Sequence, residues 1–199
     1  MTAATANGMQ DFTNLVNLCH LLLRCENVPG DVVEFGCYRG DTAKLMAALT
    51  DKKLVLYDSF AGLPVPSRGD DGLLACYEQG AQRTNAAGLA NNFERDRMDV
   101  PEIVNGWFNQ ISEHQLPRWI AFAHIDAVLC ESTLDALMLV YPRLHQGAVC
   151  LVNGYGNPPT PGVKRALDEF LIIKPEGTTQ RGLPAGAGKL SKQGYFVKL

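Results

Sequence analysis

An α/β fold built on a mostly parallel sheet is what this 199-residue sequence predicts, and three observations carry that expectation. Short apolar runs recur along the chain with helical patterns between them, which is the alternation that lays crossover helices over a parallel sheet. One run, Ala148-Val149-Cys150-Leu151-Val152, is apolar throughout, the mark of a strand covered on both faces. A third run, Asp31-Val32-Val33-Glu34-Phe35, passes directly into Gly36-Cys37-Tyr38-Arg39-Gly40 and then into a helical pattern. The chain should therefore be one domain over residues 1–199, long enough for a full core and too short for two comfortable ones.

In chain order, residues 1–8 read as a loose tail without the basic start and apolar centre of a signal peptide. Apolar positions at Phe12, Leu15, Val16, Leu18, Cys19, Leu22 and Leu23 predict an amphipathic helix that ends before Val28-Pro29-Gly30. The tail and helix make up residues 1–27; the helix could pack on the sheet, close over a cofactor or form a homodimer face. Val32, Val33 and Phe35 favour a buried strand, and Gly36 and Gly40 allow close approach of a ligand to the backbone. The helix from Thr42 offers unpaired N–H groups at its start. Lys53-Leu54-Val55-Leu56-Tyr57-Asp58 is the second strand, ending on an acid 22 residues after Gly36.

Residues 61–99 form a long, polar, Gly- and Pro-containing excursion, partly helical around residues 78–97, and are expected to act as a lid or substrate segment. A third strand at Val100–Val104 precedes Gly106-Trp107-Phe108, a fourth at Trp119–Asp126 ends on His124 and Asp126, and a helix follows from Glu131-Ser132-Thr133. After the fifth strand come Asn153-Gly154, a helix over residues 162–170, a Gly-rich loop at residues 177–188 and a last strand at Tyr195–Leu199. Strand alternation puts His124 and Asp126 on the same face.

Composition excludes several classes. With 46% hydrophobic and 20% charged residues the chain reads as globular, and a net charge of −3 gives no general attraction to nucleic acid or an anionic membrane. Its six cysteines form no C-x-x-C pair, so reduced thiols in a cytoplasmic protein are expected. No apolar run approaches the length of a membrane span.

An acid about 20 residues after the first glycine suits a ribose at the end of the second strand of a nucleotide-binding fold. An ordinary βαβ turn with a solvated acid is the alternative. The spacing Glu34-x-Gly36-x-x-x-Gly40 departs from G-x-G-x-x-G and resembles S-adenosylmethionine (SAM) methyltransferases instead. Val33 to Gly40, Tyr57-Asp58-Ser59-Phe60-Ala61-Gly62-Leu63-Pro64, Gly106-Trp107-Phe108, His124-Ile125-Asp126 with Glu131-Ser132-Thr133, and Gly162-Val163-Lys164-Arg165-Ala166 together resemble the macrocin O-methyltransferase family. The resemblance runs over roughly residues 28–175.

The resemblance implies the Rossmann-like class I methyltransferase fold, with a seven-stranded sheet whose last strand is antiparallel. It implies SAM as cofactor and a small-molecule acceptor of natural-product metabolism. By position it places Glu34, Gly36, Tyr38 and Gly40 near the amino-acid portion of SAM, Thr42 near its carboxylate, Asp58 and Ser59 at the ribose, and Gly106, Trp107 and Phe108 at the adenine. Family members also carry an Asp-x-Asp pair after the fourth strand and an Asp-Asp pair after the fifth, which bind magnesium. Here those positions read Asp126-Ala127-Val128 and Asn153-Gly154, so one carboxylate of four remains and magnesium is not expected. Asp126 and His124 are left as the candidates for proton transfer, with Asp126 also beside the cofactor. A packed strand histidine is the competing role for His124. The function so implied is metal-independent O-methylation; the alternatives are other SAM chemistry or a non-catalytic SAM-binding subunit.

Overall fold

The computed structural model describes residues 12–71, 77–174 and 192–199. Helix α1 (Phe12–Arg24) turns Asn14, Leu18, Leu21 and Leu22 inward, four positions on one helical stripe. The turn after it leads to β1 through Gly30, whose φ of +121° suits glycine and where a Cβ would stand 2.6 Å from the Trp119 carbonyl oxygen. Strand β1 (Asp31–Phe35) follows, then α2 (Asp41–Ala47), β2 (Leu54–Asp58), α3 (Ala86–Arg95), β3 (Glu102–Asn105), β4 (Ile120–Ile125), α4 (Cys130–Val140), β5 (Leu144–Asn153), α5 (Pro161–Leu171) and β6 (Gln193–Val197).

The strands lie in the order β3-β2-β1-β4-β5-β6, all parallel except β6, which runs antiparallel to β5. The sheet has six strands among the described residues, against the seven expected. Leu171 closes α5, and Ile172 and Ile173 after it are exposed. The loose tail, the Gly-rich loop at residues 177–188 and Cys76 lie outside the described residues.

Period-two alternation divides each strand between two apolar layers. Val33, Phe35, Val55, Tyr57, Ile125, Cys150 and Val152 pack against α4 and α5 through Leu137, Val140, Val163 and Leu167. Val32, Leu56, Phe122, Val149 and Leu151 pack the other face against Leu18 and Leu22 of α1, Met46 of α2 and Phe93 of α3. Phe35 and Tyr57 stack across β1 and β2 with ring centroids 4.4 Å apart, an arrangement that contributes about 0.5–1.5 kcal/mol beyond its buried area. No helix of the described residues is long and apolar enough to cross a membrane.

Strand order reverses between β1 and β4, so the chain leaves these neighbours in opposite directions and opens a crevice at their carboxyl ends. Segment 61–71 arches over that crevice and is tied down at both ends. The Leu63 N–H donates to Ala81 O and the Gly80 N–H to Leu63 O, both at 2.8 Å. Further along, the Cys130 N–H at the start of α4 donates to Asp70 Oδ1 at 2.7 Å. Helix α4 has no cap from its own preceding residue, so Asp70 supplies from a distance the acceptor its first turn needs.

Candidate functional site

A cleft of about 940 Å³ occupies that crevice. Its floor is made by the ends of β1, β2, β4 and β5 at Gly36, Asp58, Asp126 and Asn153, and its walls by Asn14 of α1, Thr42 of α2, the 62–65 stretch, Trp107 and Phe108. The volume is at the upper end of small-molecule sites and leaves room for a nucleoside and an acceptor together.

The β1–α2 turn is held by Asp58. Its Oδ2 accepts the Cys37 N–H at 3.0 Å and the Tyr38 N–H at 2.9 Å, while Oδ1 accepts the Phe60 N–H at 2.7 Å. Parallel pairing of Phe35 with Tyr57 brings the two strand ends level and makes this contact possible. Gly36 sits at φ +87°, and a Cβ there would collide with the Asp126 carbonyl oxygen. Tyr38 takes φ +48° in a turn closed by the Gly40 N–H donating to Cys37 O at 2.8 Å.

Asp58 Oδ2 also receives the Cys37 thiol at 3.8 Å, so the lone pair that Asp58 keeps for a ligand is the second one on Oδ1. Replacing Asp58 with alanine should strand three backbone N–H groups and cost on the order of 3 kcal/mol in unfolding free energy, measured by urea titration. A loss below about 1 kcal/mol would mean that water replaces the carboxylate and the turn does not depend on it.

Beneath the floor lies a second, closed group. Glu34 and His124 are both fully buried, with Nδ1 of His124 2.8 Å from Glu34 Oε1. The Thr42 hydroxyl donates to the same oxygen at 2.5 Å. Burial pushes the His124 imidazole down, but the hydrogen bond and charge of Glu34, aided by Asp126, outweigh it and raise the group above its ordinary 6.5. Sequence reasoning singled out both residues but did not join them, and neither side chain lines the cleft.

Asp126 and His124 thus part company: Asp126 reaches the cleft and His124 stays below it. Tyr38, Thr42, Ser59, Trp107 and Phe108 line the cleft as well, while Gly40 and Gly106 do not. Phe108 packs edge-on to Phe35 at 5.2 Å, which fixes the aromatic wall to the β1 core. Asn14, on the far wall, had no signal in the sequence beyond its place on the inner stripe of α1.

The carboxyl ends of β4 and β5 bring Asp126 and Asn153 together. Asn153 Nδ2 donates to Asp126 Oδ1 at 3.0 Å, and Asn153 Oδ1 accepts from Asn14 Nδ2 at 3.2 Å. A carboxylate needs a donor facing it, so this amide can point only one way. Val128 brings no oxygen and holds φ +66°, a left-handed conformation that is costly for a β-branched residue. Magnesium requires several hard oxygen ligands in near-octahedral geometry. One carboxylate faced by an amide N–H, with a valine and a glycine beside it, does not fit that ion.

Such a fold and crevice define a class I methyltransferase architecture. A family model described as macrocin-O-methyltransferase (TylF) matches residues 1–175, and the chain belongs to that family. It is 30% identical over 158 residues to demethyldecarbamoylnovobiocin O-methyltransferase of Streptomyces niveus, covering 72% of this chain and 59% of that protein. It is likewise 30% identical over 165 residues to 8-demethyl-8-(2,3-dimethoxy-alpha-L-rhamnosyl)-tetracenomycin-C 4'-O-methyltransferase of Streptomyces olivaceus, covering 77% and 63%. The chain therefore spans about three-fifths of the length of these curated relatives. Among solved structures, the O-methyltransferase NovP superposes with a TM-score of 0.77 at 24% identity, covering 98% of this chain and 83% of that one. The calicheamicin methyltransferase CalS11 gives 0.76 at 22% identity, covering 93% and 78%. At these identities the structural likeness establishes the fold.

Proposed function

We propose that this protein is a SAM-dependent O-methyltransferase acting on a small-molecule acceptor of specialised metabolism, without a metal ion. The observation that carries the reading is the cleft at the β1/β4 switch point in a chain of this family, with a carboxylate, Asp126, at its floor. The residues present fit the cofactor. Asp58, with Ser59 beside it, would take one ribose hydroxyl on its remaining lone pair, Trp107 and Phe108 would receive the adenine, and the Gly36–Gly40 turn and Thr42 would flank the amino-acid portion. Glu34 and His124 are positioning residues, since they hold Thr42 from beneath.

When bound, SAM would supply a methyl carbon already activated on sulfur, which asks only for an aligned oxygen nucleophile. Alignment alone is worth about 7–11 kcal/mol of barrier in well-oriented cases. Asp126, steadied by Asn153, takes the proton from the acceptor hydroxyl at its carboxylate. With no cation to acidify that hydroxyl, the chemistry favours an acceptor with an acidic proton of its own, such as a phenol. The 61–71 arch would close the acceptor end through Leu63, Pro64 and Val65, which line the cleft as Leu129 and Asn157 do. Free thiols at Cys19, Cys25, Cys37, Cys130 and Cys150 support a reducing, cytoplasmic setting. The apolar stripe of Phe12, Val16 and Leu23 on the outside of α1 is the surface a homodimer would use.

Calorimetric titration with SAM and S-adenosylhomocysteine (SAH), followed by turnover on a panel of phenolic and glycosidic acceptors, tests the reading. Protein dialysed against EDTA should keep its activity, and Asp126→Asn should lower kcat about 10²–10⁴-fold while SAH still binds. Activity that disappears with EDTA and returns with magnesium sinks the metal-free part. Methylthioadenosine instead of SAH as product sinks methyl transfer itself, and tight binding without turnover on any acceptor points to a non-catalytic subunit.

A further inference from the structure

The segment Gly162-Val163-Lys164-Arg165-Ala166 stands outside the cleft lining, yet its first residue makes room for the arch. A Cβ on Gly162, in the first turn of α5, would collide with Asp70 Oδ1 and stand 2.9 Å from Cys130 Cβ. The fit is repeated from the other side, where a Cβ on Gly69 would stand 2.6 Å from Cys130 Sγ. One turn along α5, Arg165 Nη1 donates to Arg68 O at 3.3 Å. Residues 68–70 thus rest in a notch between the starts of α4 and α5, and a side chain at either glycine would fill it.

Asp70 is the group seated in that notch, and it is only 3% exposed. Its charge is answered by hydrogen bonds. Oδ1 accepts the Cys130 N–H at 2.7 Å, and Oδ2 accepts both the Ser67 N–H and the Ser67 hydroxyl at 3.0 Å. Bonds to an ionised acceptor are the stronger kind, and losing a buried acceptor strands its donors. One carboxylate therefore shapes the arch's own turn and fastens it to α4. The start of the arch has separate anchors: the Phe60 N–H on Asp58, and the Leu63 and Gly80 N–H bonds that tie Leu63 to residues 80 and 81. Freeing Asp70 would let residues 64–70 shift while the Asp58 turn stays in place. Pro64, Val65 and Asp70 all line the cleft, so that shift would reshape its wall.

We infer that Asp70, seated against Gly162, is a positioning residue that fixes the arch as the acceptor-end wall and so sets which acceptors fit. This rests on the methyltransferase reading above and carries it from the cofactor to acceptor selection.

The test compares wild type with Asp70→Ala, Gly162→Ala and the double variant. Three quantities are read: SAH affinity by calorimetric titration, trypsin cleavage after Arg68, and the ratio of kcat/KM between the bulkiest and the smallest acceptor of the panel above that wild type methylates. SAH should bind within about twofold of wild type in every variant. Cleavage after Arg68 should be about tenfold faster. The ratio should shift about tenfold toward the bulkier acceptor. Both single changes break the same contact, so the double variant should add nothing to Gly162→Ala. The ratio does not depend on how much protein is folded, so a merely structural role leaves it unmoved. Should these variants fail to fold, Arg165→Met removes only an exposed donor and should shift the ratio about threefold. Folded variants with the wild-type ratio overturn the inference, and so does a loss of SAH binding that matches the loss of activity. Wild type that binds SAH but methylates no acceptor removes the methyltransferase reading first, and the inference with it.

Discussion

Gly36→Ala is expected to cost on the order of 4 kcal/mol or more and to abolish SAH binding. Two independent penalties meet at this residue. At φ +87° an alanine is held in a backbone region that L-residues avoid, and its Cβ would collide with the Asp126 carbonyl oxygen. The obstacle is backbone at a strand end. It cannot rotate away as a side chain would, because the Asp126 N–H is itself tied to Phe35 O at 2.8 Å and the Gly36 N–H to Tyr57 O at 2.9 Å. Relief therefore requires β1 and β4 to part at the point where the cleft begins. Urea unfolding and SAH titration of the purified variant check this. A protein that melts within about 2 °C of wild type and binds SAH normally would show that the β1/β4 crossing has slack that the structure does not suggest.

His124→Ala carries the second large effect, about 3–5 kcal/mol, because it leaves the Glu34 carboxylate buried with only the Thr42 hydroxyl beside it. Adding Glu34→Gln to His124→Ala should recover part of the loss, since a neutral amide needs no opposing charge. A double variant no more stable than the single one would assign the cost to lost packing instead of lost charge.

The pair also predicts a pH dependence. The folded His124 imidazole titrates above its ordinary 6.5, so its stabilising contribution is complete below that value and fades as pH rises through the folded value. Unfolding free energies of wild type should decline on the alkaline side of neutrality relative to the His124→Ala series. Parallel profiles for the two proteins would contradict a raised His124 titration.

Much of the framework is legible in the residues because it is local. Runs such as Val32-Val33-Glu34-Phe35 and Leu54-Val55-Leu56-Tyr57 announce strands by β-branching and aromatic content. Leu18, Leu21 and Leu22 announce a helix by spacing, and Gly36 and Gly40 announce the turn between strand and helix. Sequence spacing also singled out Asp58 and Asp126, both of which stand at strand ends in the cleft. The strand count was less legible. Leu171-Ile172-Ile173 has strand-like residues, but α5 runs through Leu171 and leaves both isoleucines in solvent.

What the order of residues determined by itself is the sequence of elements, the strand–turn–helix around Gly36 and Gly40, and the family. Tertiary structure alone decided who meets whom. Glu34 finds His124 across 90 residues, Asp70 caps α4 across 60, and Asn14 reaches Asn153 across 139. These partnerships depend on strand register and on how each helix docks, which are set by long-range packing. Periodicity and propensity report only on residues a few positions apart, so a buried acid, a cap or an amide shows its chemistry in the sequence but not its partner.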